Sequence, residues 1–227
     1  KLGKSTQSSS TVNELLLASF PFGRDNVLDA LASHSMNASN YATAINYYKK
    51  QSSQFEKKLV YDFVQNYGPF QNPEFETSAK LQKMTRRQFA EEMQRLSQKA
   101  DQESYYRMAI GLYNTSWHGR WWILGRDYWS MSSEDLSQPQ LKQALLFLEK
   151  ASNGSDSELV AKSLYMSLRI TRALEWEEQD QWRDGGPSFS ANERKLYKRL
   201  VSGYGTTNFY KQAKQQCSYL NLLEAGR

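Results

Sequence analysis

Apolar and aromatic side chains recur along this chain every three to four residues, and no stretch alternates apolar with polar in the manner of a strand. Residues three and four apart share one face of a 3.6-residue turn, so this is a helical pattern. Tyr41, Ile45, Tyr48, Phe55, Leu59, Phe63 and Tyr67 predict one long helix over about 40–67, with its polar middle, 51–54, as the point of a kink. Leu81, Met84, Phe89, Met93 and Leu96 give the next helix, about 77–99, its apolar side. Two short helices, about 12–19 and 25–33, come before these. Six more follow, at about 101–115, 120–131, 138–151, 156–179, 191–201 and 207–224.

Their ends carry the expected punctuation. Phe20-Pro21-Phe22-Gly23, Gly68-Pro69, Gly185-Gly186-Pro187 and Gly203-Tyr204-Gly205 break the pattern, because glycine and proline both interrupt helices. Asn153-Gly154 lies between two helical flanks and reads as a helix stop, not a strand turn. Thr11-x-x-Glu14, Thr85-x-x-Gln88, Ser155-x-x-Glu158 and Ser190-x-x-Glu193 have capping-box form. In that motif a hydroxyl accepts from the backbone N–H three residues on, and the Glu or Gln reaches back. The predicted fold is all-α, built of stacked antiparallel helical hairpins. A flexible arm (1–11), N-terminal helices (12–75) and a hairpin array (76–227) make up the chain.

Composition sharpens this picture. Hydrophobic residues are only 39% but aromatic ones 13%, so the core must rest on Tyr, Phe and Trp. Buried Tyr and Trp need a partner for the hydroxyl or indole N–H, which favours shallow packing between helices. The net charge of +5 is mild. The basic pairs Lys57-Lys58, Arg86-Arg87 and Arg194-Lys195 each lie close to Glu, at 56, 91–92 and 193. Such interleaving reads as solvated helix faces and argues against nucleic acid, which calls for one basic face. A single cysteine, Cys217, excludes an internal disulfide framework, and its spacing from Ala213 and Leu220 predicts a small buried residue. No apolar run approaches the roughly 20 residues that span a bilayer. The sequence begins without Met or a signal-peptide pattern, as expected of a processed chain or part of a longer one.

Two resemblances attach to these motifs. Ala144, Leu148 and Ala151 have the second-helix spacing of a tetratricopeptide repeat, and Leu164, Tyr165 and Leu168 the first-helix spacing of the next unit. Residues 100–224 thus resemble a tetratricopeptide-like α-solenoid. The junction Ala109-Ile110-Gly111-Leu112-Tyr113-Asn114-Thr115-Ser116-Trp117-His118-Gly119-Arg120 resembles the A-N-x-x-Y-N-x-S-x-x-G-N junction of large bacterial cell-envelope proteins with helical-repeat C-terminal regions, with Arg120 where that pattern has Asn. The 209–220 helix resembles their last helix. The resemblance implies an extracytoplasmic place in the bacterial envelope, periplasmic or outer-membrane associated, and a scaffold role.

Candidate chemistry is sparse. His34 and His118 are the only histidines, and neither has a second ligand at metal spacing. No G-x-S-x-G elbow and no phosphate-cradling loop occurs, so neither cofactor nor metal is expected. Glu175, Glu177, Glu178 and Asp180 cluster beside Trp176 and Trp182, as acids on a sugar platform would in a glycan-active enzyme. The stronger signal is the aromatic hairpin. Trp117, His118, Arg120, Trp121, Trp122, Arg126 and Trp129 are its candidate protein-binding residues, since Trp and Arg dominate binding energy at interfaces. The expected function is a non-enzymatic scaffold that holds other protein subunits. A glycan-active enzyme is the alternative, and nucleic-acid binding the third.

Overall fold

A computed structural model describes residues 23–55, 65, 67–76, 80–121, 124, 137–178 and 189–225. These residues are all-α, with an isolated antiparallel bridge between Gln65 and Gln82. In order they form α1 (Arg24–Asn37), α2 (Tyr41–Tyr48), α3 (Arg86–Lys99), α4 (Gln102–Thr115) and α5 (Ser137–Ala151). Then come α6 (Ser157–Glu178), α7 (Ala191–Tyr204), α8 (Asn208–Gln216) and α9 (Ser218–Glu224). Among the described residues, no helix is long and apolar enough to cross a membrane.

The caps show why several helices start where they do. Thr85 and Ser190 each form the full reciprocal capping box, with Gln88 and Glu193. At α6 the cap is Asp156, whose carboxylate accepts from the N–H groups of Glu158 (3.0 Å) and Leu159 (3.2 Å). Glu158 is turned elsewhere: its two oxygens accept from Asn208 N–H (2.7 Å) and Phe209 N–H (2.9 Å), the opening residues of α8. One carboxylate thus satisfies two donors that a helix start leaves open, and its charge suits the positive end of α8. We expect Glu158→Ala to lower stability by about 1 kcal/mol, with Glu158→Gln recovering part of it, read from urea midpoints. The Thr11–Glu14 box and the predicted 12–19 helix lie outside the described residues.

Three predicted helices are corrected. The long 40–67 element is interrupted after Tyr48 and is helical again at 53–55, while 56–64 and 66 lie outside the described residues. Its polar middle is a stop, because Gln51 and Ser52 bond to the first turns of α1: the Gln51 amide donates to the Asp25 carbonyl (3.3 Å) and Asp29 Oδ1 (3.2 Å), and Ser52 N–H to Asp25 Oδ1 (3.1 Å). The 77–99 helix starts only at Arg86, where the Thr85 box fixes it, and Gln82 pairs with Gln65 instead. The 207–224 helix is divided at Cys217, whose backbone is extended; the thiol is half-buried, its sulfur 3.4 Å from the Tyr165 hydroxyl oxygen. Of the predicted 120–131 helix, Trp121 is non-helical, Leu124 lies in a 3₁₀ turn, and the remainder falls outside the described residues, apart from Arg120 in the turn.

From α1 to α7, each helix packs on the next in the chain, and α4 and α8 both also pack on α6. The core is mixed, and the expectation that it rests on Tyr, Phe and Trp is corrected: Leu96, Ile110, Leu148 and Leu168 are as fully buried as Phe89, Trp121 and Tyr165. Phe70 stacks on Phe89 at 5.0 Å, and Phe75, Tyr165 and Phe209 meet edge to face. Two of the tyrosine heads have carboxylate acceptors: Tyr165 donates to Glu74, and Tyr219 to Glu193 at 2.6 Å. Gly111 lets Phe70 lie against α4, since a Cβ there would stand 2.8 Å from its ring.

Candidate functional site

Helix α6 packs against both α5 and α7, and the space between those two forms an open groove of about 510 Å³. Leu164, Ser167, Thr171 and Leu174, at helical spacing on α6, make its floor. Leu145 and Glu149 of α5 form one wall, and Lys195, Leu196 and Arg199 of α7 the other. Arg199 Nη2 donates to the Ser152 carbonyl at 3.1 Å, tying the wall to the end of α5. Glu175 also lines the groove, half-buried.

The wall formed by α7 is more basic than its sequence suggested. Arg194, Lys195, Lys198 and Arg199 of α7 are all exposed, Lys195 and Arg199 of them in the groove, while Glu193, the lone acid of that helix, is 0% exposed. Its carboxylate accepts from Ser190 N–H (2.7 Å) and the Tyr219 hydroxyl, with Arg172 Nη1 at 3.6 Å. The interleaved pattern expected of Arg194-Lys195 and Glu193 is therefore corrected: the acid faces inward and the bases face solvent. The same holds for Arg86, which leaves the surface to pair with Asp29 in the interior.

Across α6 lies a second cavity, of about 300 Å³, lined by Tyr113, His118, Arg169, Arg172, Ala173 and Tyr219. Arg169 pairs with Glu74 at 2.8 Å and lies over the Tyr219 ring, 6.0 Å from its centroid. Burial, reinforced by the bond to Glu193, holds the Tyr219 hydroxyl well above its ordinary pKa, so it stays protonated at neutral pH. Burial alone would pull Arg169 down; Glu74, Tyr113 and Tyr165 more than offset it, and the guanidinium stays charged.

The predicted contact residues separate. Trp117 is 56% exposed at the tip of the turn after α4, Arg120 is exposed, and His118 is half-buried at the second cavity. The backbone N–H of His118 donates to Ser116 Oγ at 3.3 Å. Trp121 is corrected: it is 0% exposed, its indole donates to the Tyr67 carbonyl at 3.2 Å, and it offers nothing to a partner. Trp122, Arg126 and Trp129 lie outside the described residues. So do Asp180, Trp182 and the side chains of Trp176, Glu177 and Glu178. His34 is exposed on α1, and among the described residues no three metal-ligating side chains gather. The groove was missed in the sequence. Its one early signal was the Ser190–Glu193 capping box, which commits the acid of α7 to the backbone.

No family model matches the chain, and neither a curated protein nor a solved structure proved similar to it.

Proposed function

We propose that this protein is a non-enzymatic helical scaffold that docks a partner protein in the groove between α5 and α7. The occupant is a helical segment with apolar residues on one face and acidic residues along its flank. One observation carries this reading: a floor of two leucines and two hydroxyl residues beside a basic wall whose own acid is turned away. Amphipathic helices are taken up in grooves of this kind, through apolar anchors at helical spacing, and charge complementarity sets orientation and on-rate. Nucleic acid suits the groove less well, since single strands call for exposed aromatic platforms beside the basic residues, and no aromatic ring is among the described residues that line it.

The stepwise packing of α3 to α7 supports reading the array as a tetratricopeptide-like solenoid. The likeness of the 109–120 junction to bacterial cell-envelope proteins supports a place in an envelope assembly, with other subunits as partners.

The test is a zero-length crosslink between lysine and carboxylate in the assembly isolated from its native source, followed by mass spectrometry. Lys195 should join to an acid of one partner segment. Lys195→Glu combined with Leu196→Asp should weaken capture of that partner at least tenfold with an unchanged circular-dichroism spectrum. Equal capture by the double variant, or binding to DNA or RNA that falls steeply with salt, would sink the proposal.

A further inference from the structure

We infer that the helix taken up between α5 and α7 lies antiparallel to α6, its amino-terminal end at Glu175 and its carboxyl-terminal end at Arg199. The inference rests on the docking reading above and adds the direction and charge order of the occupant. Two contacts set the frame. Arg172 of α6 faces Glu193, at the start of α7, at 3.6 Å. Arg199, late in α7, bonds the Ser152 carbonyl at 3.1 Å, in the turn that leads into α6. Helix α7 therefore runs opposite to α6, and the groove has two unlike ends. One holds Leu174, Glu175 and Asn192; the other holds Ser152, Glu149 and Arg199, with Lys195 between them. The floor from Leu164 to Leu174 is about 15 Å long, room for a helix of about three turns.

The charges of the groove are uncommitted. Among the described residues, the side chains of Glu149, Glu175 and Lys195 enter no ion pair or hydrogen bond within the chain. Arg199 spends one N–H on the Ser152 carbonyl and keeps others. A helix brings open N–H groups and a positive dipole end at its start, and open carbonyls and a negative end at its finish. Glu175 meets the first and Arg199 the second only when the occupant runs antiparallel to α6. Turned round, each end meets its own sign. The walls then order the side chains. Lys195 calls for an acid on the flank at mid-length. Glu149, on the α5 wall at the Arg199 end, calls for a lysine or arginine in the last turn, where the dipole also favours a base. The occupant is a segment of about three turns with leucine-sized residues at i, i+3 and i+7.

The probe is a synthetic peptide of this pattern, carrying a benzophenone at either its first or its last residue. On photolysis with the full chain, the amino-terminal benzophenone should label residues around Leu174 and Asn192. The carboxyl-terminal one should label residues around Ser152 and Arg199, as mapped by mass spectrometry. In calorimetry, Glu149→Lys should weaken binding about fivefold. Changing the last-turn lysine of the peptide to glutamate should restore affinity for that variant, which a merely structural role of Glu149 would not allow. Labels in the reverse order, or in both orders, overturn the direction and leave the docking site standing. No saturable binding, labels outside the groove, or equal binding by Lys195→Glu with Leu196→Asp removes both. A chain that dimerises without peptide, and loses the dimer in that double variant, gives the groove to a second copy and overturns the foreign helix.

Discussion

Replacing Trp121 by alanine should destabilise the protein by about 3–5 kcal/mol, read as a drop in the urea midpoint at constant slope. The ring is wholly buried, and its indole N–H bonds the Tyr67 carbonyl. Its backbone N–H donates to the Asn114 carbonyl at 2.8 Å. Asn114 in turn donates its side-chain amide to the Pro69 and Gln71 carbonyls, both at 2.9 Å. Trp121 and Asn114 therefore clasp the 67–71 segment against the end of α4. Removing the ring leaves a large cavity and an unpaired carbonyl, and the two costs add. Trp117, four residues earlier and mostly exposed, is the control: Trp117→Ala should change stability by no more than about 0.5 kcal/mol. Equal losses from the two tryptophans would contradict this division into core and surface.

The second large effect is expected at Asp29. Its carboxylate pairs with Arg86, and both side chains are 3% exposed. The Gln51 amide donates to the same carboxylate, and Arg86 Nη1 lies 3.5 Å from Ser33 Oγ. Breaking such a pair from one side strands a charge in the interior, so Asp29→Ala should cost about 3–5 kcal/mol. Replacing both partners by apolar residues of similar size, Asp29→Leu with Arg86→Met, should recover most of that loss, because neither charge then needs solvation. A double-mutant cycle gives the coupling directly. A loss below about 1 kcal/mol for Asp29→Ala would mean that water reaches the pair, since exposed pairs contribute no more than that.

The sequence reading succeeded where structure is local. Period, the Ser190 capping box and the Asn153-Gly154 stop placed α4, α5, α6 and α7 within a few residues of where they lie, although the Ser155–Glu158 box does not form. It failed where a distant partner decides. The polar 51–54 stretch signalled a kink but not the break that Gln51 and Ser52 make by finding α1; nothing near Cys217 marks one, and Cys217 lies beside the hydroxyl of Tyr165. Arg86 and Glu193 read as surface charges because their spacing to neighbouring charges is ordinary. Only their burial against Asp29 and Arg172 shows otherwise. Of the candidate site, the aromatic turn was legible as a cluster, but not which ring faces inward. The groove depends on α5 and α7 flanking α6, which no one-dimensional pattern encodes.

The buried pair also governs how this protein can be dissected. Asp29 belongs to α1 and Arg86 opens α3, so a fragment cut anywhere between them inherits half of a salt bridge. A shortened form starting at α3 would have to carry Arg86→Met to be soundly designed, whereas one retaining residues 24 onward needs no such repair.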